Sequence, residues 1–238
     1  RTSCSATCST RRANPARWKG HLDKLLPDPN RVHKVRHHPA LPYSEAANFL
    51  LELRTKGGMA ALALEFCILT CARTGEAIAA QWSEIDFEKK IWTVPAERMK
   101  TRRAHRIPLS DEALRLLRHL EKAKAGPFVF PGAKSNRTIS NMSMLAVLRR
   151  MERRDITVHG FRSTFRDWAA ETTEFPNELV EMALSHTVGN QVEAAYRRGD
   201  MLERRQKLMD EWARHCFPKL RPVSVHSQDN EPAPVAAA

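Results

Sequence analysis

The sequence predicts an α+β fold, mainly helical, with one small antiparallel β-hairpin. Three observations carry this. Stretches with apolar residues at three- and four-residue spacing recur from about residue 45 to residue 215. Only two short segments, IWTVP (91 to 95) and HRIPL (105 to 109), have strand character, and they flank a single cationic turn, ERMKTRRA. The 238 residues are 42% hydrophobic and 28% charged, which suffices for one substantial core. No apolar run approaches the ~20 residues of a membrane span.

Residues 1 to 40 read as an N-terminal extension and linker, in which only WKGHLDKLLP (18 to 27) can form a short helical turn. LPDPNRVHKVRHHPALP is a basic, Pro-punctuated connector. A folded domain is expected over residues 41 to 217, beginning with a helix at EAANFLLELR that Ser44 can cap. GGMAALALEFCILTCA (57 to 72) is apolar nearly all round and so predicts a buried central helix. Thr74 can cap a short helix that runs through Ala80 and Gln81. After the hairpin, Ser110, Asp111 and Glu112 open a helix whose apolar rhythm is Leu114, Leu117 and Leu120. FVFPG is a short strand or turn, and Ser140 or Asn141 begins a helix to about residue 153. ITVHGFRSTFRDWAAE supplies a strand-like entry and a helix. Two shorter helices follow at PNELVEMAL and NQVEAAYR, then a long one from Met201 to His215. Residues 218 to 238, rich in Pro, Ala and Ser, are expected to form a disordered tail.

Lys and Arg (39) outnumber Asp and Glu (27), for a formal net charge of +12. Such an excess favours polyanionic partners, because neutralised phosphates release their counterions. The charge is uneven: residues 1 to 42 hold nine basic and two acidic residues. Beyond them the cations cluster at ERMKTRRAHR (97 to 106), RRMERR (149 to 154) and YRRGD (196 to 200). Five cysteines, an odd number, do not make a disulfide framework and suit a reducing intracellular compartment. Cys4 with Cys8, and Cys67 with Cys71, lack two further ligands at zinc spacing, so no metal is expected. RTSCSATCSTRRANP has no apolar stretch after its basic residues and does not read as a signal peptide. The first residue is not methionine, which points to a partial chain.

In HGFRSTFRDW, helical spacing puts Phe161, Phe165 and Trp168 together and His159, Arg162 and Arg166 on the opposite face. That polar stripe is either a solvated surface or a phosphate clamp. Arg73 sits in a tight turn between a buried helix and a new one, where a catalytic cation is well held, or where it pairs with Glu76. Lys100 stands at the hairpin end. Tyr196 is one of only two tyrosines, ten residues after His186 and directly before Arg197 and Arg198.

Arg73, Lys100, His159, Arg162, His186 and Tyr196 occur in an order that resembles the catalytic domain of tyrosine recombinases, the phage-integrase family. The similarity is greatest to integrases of prophages and genomic islands. It is carried by ARTGEAIAAQWSEIDFEKKIWTVPAERMKTRRAHRIPLS, HGFRSTFRDWAAE and LSHTVGNQVEAAYRRGD, and HPALPY resembles the family's interdomain junction. The resemblance implies a tyrosine-recombinase catalytic domain over residues 41 to 217, preceded by the end of a core-binding domain. It also implies site-specific DNA recombination through a 3′-phosphotyrosyl intermediate. In that scheme Tyr196 is the nucleophile, Arg73, Arg162 and His186 bind the phosphate, and Lys100 is the general acid. His159 accepts the phenol proton or positions the phosphate, and Glu76 orients Arg73. The implied partner is double-stranded attachment-site DNA, on which the chain would form a homo-oligomer in the bacterial cytoplasm, with no cofactor. The absence of a G-x4-G-K-[ST] loop agrees, since transesterification needs no ATP.

Two other readings remain open at this point. Glu84, Asp86 and Glu88 in SEIDFE would suit a metal-dependent nuclease, although no histidine or further acid completes a two-metal set. A catalytically impaired integrase remnant would act only as a DNA-binding module.

Overall fold

Gly57 (φ 60) and Gly58 (φ 84) break what would otherwise be one continuous helix. The computed structural model describes residues 14, 17–26, 38–134, 136–186 and 199–218. NQVEAAYR, with Tyr196, and the tail from residue 219 lie outside the described residues. The chain divides into two compact units, Arg1–His37 and His38–Ala238. In the first, a wide helical turn over Trp18–Leu22 is interrupted at Gly20 (φ 82), and helix α1, Asp23–Leu25, follows it.

The second unit begins with a tight turn, Tyr43–Glu45, that leads into α2 (Ala46–Lys56). Ser44 lies within that turn and does not cap the helix, which has no side-chain cap. Helix α3 (Met59–Thr70) is the buried centre: from Ala63 onward every residue is buried. Helix α4 is shorter than the sequence predicts, Thr74–Ile78. Strands β1 (Ile85–Asp86), β2 (Ile91–Val94) and β3 (His105–Pro108) form an antiparallel sheet in that order. The first strand was not anticipated, being only two residues long. Trp92 pairs with Ile85 on one side and Ile107 on the other. Its ring packs 5.0 Å from Phe66, which lies 5.4 Å from Phe130, so aromatic contacts fasten the sheet to α3.

Ser110 caps α5 (Asp111–Glu121), its hydroxyl accepting the Ala113 N–H. Helix α6 (Ser143–Arg150) starts later than expected, because Ser140 Oγ instead accepts the Met142 N–H in the preceding turn. Helix α7 (Gly160–Thr172) is entered from a turn rather than a strand. Helix α8 is Asn177–Ala183 and α9 is Leu202–Cys216. Phe161 packs on Phe49 at 5.0 Å, and Phe165 and Trp168 pack on Trp212 at 5.5 and 5.1 Å. Trp212 also donates its indole N–H to the Ile68 carbonyl at 2.9 Å, so α9 is pinned to the central helix by shape and by a directed bond. Among the described residues no helix is long and apolar enough to cross a membrane.

The segment from Pro39 to Leu41 lies against the start of α7. The Pro39 carbonyl accepts the Thr157 N–H at 3.1 Å, and the Leu41 carbonyl accepts the Thr164 hydroxyl at 2.6 Å. A Cβ on Gly160 would stand 2.1 Å from the Pro39 oxygen. That oxygen and the other atoms it would meet, the Pro39 carbonyl carbon and the Ala40 Cα, are all backbone, which yields little, so over-packing there costs about 1–3 kcal/mol or more. Gly160→Ala should therefore lower stability by about 2 kcal/mol, read as a fall in the urea unfolding midpoint, and an unchanged midpoint would show that the junction moves freely.

Candidate active site

Helix α3 ends where Cys71 turns left-handed (φ 53, ψ 22). The turn costs on the order of 1–2 kcal/mol for a residue with a side chain, and it leaves the Cys71 carbonyl free to accept from Arg162 Nη1. Arg162 Nη2 donates to the Leu184 carbonyl and contacts His186 Nε2 at 3.1 Å. The arginine sits one turn into α7 and is only 5% exposed. Of the two readings its stripe left open, a solvated surface does not hold for Arg162, which is covered by the ends of two other helices. Its Nε is buried and has no hydrogen-bond partner among the described residues. An unmatched buried donor costs about 1–3 kcal/mol.

Arg73 joins this arginine from α4. Its backbone is extended (ψ 150), so Arg73 rather than Thr74 is the residue that precedes the first helical turn. Glu76 grips it twice: one carboxylate oxygen accepts the Arg73 N–H at 2.9 Å and the other accepts Nη1 at 2.7 Å. The remaining Nη2 donates to the Ser185 carbonyl at 3.1 Å. Glu76 is buried, and the pairing is what makes a buried carboxylate tolerable. Arg73 and Arg162 are close enough to repel, and Arg162 has its pKa lowered by burial and then by Arg73.

His186 is oriented from behind. Its Nδ1 lies 2.6 Å from a Glu181 oxygen, and the other Glu181 oxygen pairs with Arg166 Nε at 3.0 Å. A guanidinium only donates, so Nε2 accepts from Arg162 and Nδ1 carries the hydrogen donated to Glu181. Glu181 was not singled out in the sequence because five residues separate it from His186, a spacing that matches no helical face. Arg166, expected on the polar stripe with Arg162, is tied to this carboxylate.

His159 precedes α7, but the cap is made by Thr157, whose hydroxyl accepts the Gly160 N–H at 3.0 Å. The exposed imidazole meets His38 edge-on, with ring centroids 4.6 Å apart. Its pKa is lowered by partial burial, then by His38, Arg162, Arg73 and His186. Those groups act on it because they lie close together.

Arg73, Glu76, His159, Arg162 and His186 are thus brought together. Lys100 is not among them: it is exposed on the turn between β2 and β3, with no partner among the described residues. Arg98, counted in the sequence with the cationic hairpin end, turns inward. It donates to Glu84 at 2.6 Å and to the Ala79 carbonyl. Trp92 Nε1 and the Gln81 N–H also reach Glu84, at 3.0 and 3.2 Å, so this carboxylate braces the hairpin base. Tyr196 lies outside the described residues.

A profile of the phage integrase family matches residues 40–203, more than half of the chain. The chain belongs to the phage integrase family. Within it, prophage integrase IntA of Escherichia coli (strain K12) is 40% identical over 149 residues, covering 61% of this chain and 36% of that protein. The integrase of Enterobacteria phage P4 is 32% identical over 200 residues, covering 76% and 46%. The chain spans less than half the length of either. Among solved structures, the integrase from mycobacterium phage Brujita superposes with a TM-score of 0.55 at 15% identity, covering 76% of this chain and 59% of that one. The Tn1549 transposon integrase, in complex with a circular intermediate DNA, gives 0.52 at 13% identity, covering 79% and 70%. The shared architecture is the tyrosine-recombinase catalytic domain, mainly helical with a small antiparallel sheet.

One titratable group behind the site had no sequence signal. Burial pushes His105 on β3 down to about 4 from 6.5, and Arg205 and Arg73 push the same way against the Ala183 carbonyl and Glu76. The unfolded chain takes up that proton near 6.5 and the folded chain only near 4. Stability at this residue is therefore full above about 6.5 and is lost as pH falls towards 4, by on the order of 3 kcal/mol. His105→Gln, which can still donate to the Ala183 carbonyl, should flatten the pH dependence of the urea midpoint over that window.

Proposed function

We propose that this chain cleaves and rejoins DNA strands by transesterification, as the catalytic domain of a site-specific prophage or genomic-island integrase, with Tyr196 as nucleophile. The observation that carries the reading is the buried Arg162, held beside Arg73 and His186 with one donor unmatched among the described residues. A phosphodiester oxygen is the ligand such a donor set suits. Attack of the Tyr196 oxygen on phosphorus forms a 3′-phosphotyrosyl bond and breaks the bond to the 5′-oxygen. Lys100 Nζ supplies the proton that leaves with the 5′-hydroxyl; its exposed ammonium on the hairpin turn, without a partner among the described residues, supports that role. The depressed pKa of His159 keeps its imidazole neutral at physiological pH, which supports its accepting the phenol proton. Arg73, Arg162 and His186 then bind the non-bridging oxygens as their charge grows, each such donor being worth on the order of 3 kcal/mol, or ~100-fold. Glu76 and Glu181 hold the groups that do this. Return of a 5′-hydroxyl reverses the step without ATP.

The other tyrosine supports the assignment by contrast. Tyr43 donates its hydroxyl to Glu171 at 2.9 Å, and that hydrogen bond and the carboxylate charge raise its pKa. Such a phenol is a poor source of phenolate. The DNA substrate is supported by the net charge of +12 and by the DNA-bound state of the Tn1549 neighbour.

Incubation with a nicked suicide DNA substrate, followed by denaturing electrophoresis, should give a covalent protein–DNA adduct in the presence of EDTA. Tyr196→Phe should abolish it. An adduct that survives this substitution sinks the assignment, no adduct from the unmodified chain favours a non-cleaving DNA-binding module, and a magnesium requirement favours a nuclease at Glu84, Asp86 and Glu88. Glu181→Gln leaves His186 without its charged partner, a bond worth about 1.5–3 kcal/mol. It should slow adduct formation by on the order of 10-fold or more in single-turnover assays.

A further inference from the structure

Asp200 is held by arginines from two different elements. Arg106 on β3 donates through Nε at 2.8 Å and Nη2 at 2.7 Å to the two carboxylate oxygens, a bidentate fork. Arg205 on α9 is 1% exposed. Its Nη2 lies 3.0 Å from the same carboxylate, its Nε donates to the Asp200 carbonyl at 2.7 Å, and its Nη1 donates to the Arg106 carbonyl at 2.6 Å. Met201, the next residue, is left-handed (φ 49, ψ 39) before α9 begins. Strain of that kind persists where the surroundings over-determine the backbone, and bonds to both the side chain and the main chain of Asp200 do so here. One point of the chain is thereby fixed to β3 and α9 together.

That point is four residues beyond Tyr196. An extended chain covers at most about 3.3–3.6 Å per residue. Four residues of fully extended chain span at most about 14 Å, whereas the ten that separate Tyr196 from His186 span up to about 35 Å. Of the two flanking anchors, Asp200 sets the reach. Strand β3 is also the outgoing strand of the hairpin that carries Lys100, six residues before Arg106.

We propose that Arg106, Asp200 and Arg205 are positioning residues that set the reach of Tyr196 and register it with the Lys100 hairpin. This rests on Tyr196 being the nucleophile. Arg106 could otherwise serve as a plain phosphate contact, and the two roles make different demands. If it only contacts DNA, Arg106→Gln weakens DNA binding and Asp200→Asn, which removes a negative charge, strengthens it. If it positions the chain, both variants slow the chemical step.

The full chain is assayed on the nicked suicide substrate at saturating DNA, with Kd measured separately by fluorescence anisotropy in the Tyr196→Phe background. Asp200→Asn and Arg106→Gln should each slow adduct formation by on the order of 10-fold, since misplacement of about 1 Å can cost as much as ~100-fold. Kd should move by less than about threefold in either variant. Arg106→Gln leaves the buried Arg205 still paired with Asp200, which guards against mere unfolding. Arg106→Lys keeps the charge without the fork and should recover only part of the rate. Hydrogen exchange of the amides at 187–199 should rise in both variants. Rates within twofold of the unmodified chain, or exchange left unchanged, overturn the proposal. If the unmodified chain forms no adduct while exchange rises as stated, the nucleophile assignment fails and the anchoring role of Asp200 stands.

Discussion

The Arg162 guanidinium is buried among backbone carbonyls, and most of the domain's organisation follows from satisfying it. Its donors take the Cys71 carbonyl at the end of α3 and the Leu184 carbonyl just after α8, residues 91 and 22 positions away. Helix ends leave carbonyls without partners, so one side chain from α7 answers the needs of two other helices. A neutral residue of the same size would leave both carbonyls orphaned. The arginine is therefore a buried structural joint, and its charge cannot be removed without disturbing both helix ends.

Around this joint the carboxylates are few and all are committed. Glu76 faces Arg73, Glu181 faces His186 and Arg166, and Glu84 stands further off at the hairpin base with Arg98. Each restrains a cation or an imidazole without cancelling the positive field of the group as a whole. Burial first, and then the neighbouring cations, lower the pKa of both Arg162 and His159, as that excess requires. The buried thiols follow another rule. Burial pushes Cys67 up to about 12 despite Arg162, which leaves it an uncharged packing residue.

Periodicity made the helices legible. The apolar run of α3 and the Phe161, Phe165 and Trp168 face of α7 lie in the core as their spacing requires. The same periodicity left the setting of Arg162 open, because a helix pattern reports which residues share a face and says nothing about distant chain that covers the polar one. Capping was misjudged at two sites for a related reason. Ser44 is drawn into a tighter turn, and Thr74 is already the first helical residue because the helix is capped one position earlier, at Arg73, whose N–H donates to the Glu76 side chain. The order of the reactive residues was readable only through family resemblance. Glu181, His105 and the arginines around Asp200 carry no local pattern, since their partners come from other elements.

The hairpin shows how unevenly one element can be constrained. At its base Glu84, Trp92 and Arg98 form a closed set of bonds with Gln81 and Ala79, and a change in any member strands a buried polar atom of another. At its turn Lys100 and the three residues after it are exposed. Length and composition can therefore vary at the turn with little penalty to the fold, while the base tolerates almost no substitution. The tip can thus change its shape and charge without renegotiating the interior.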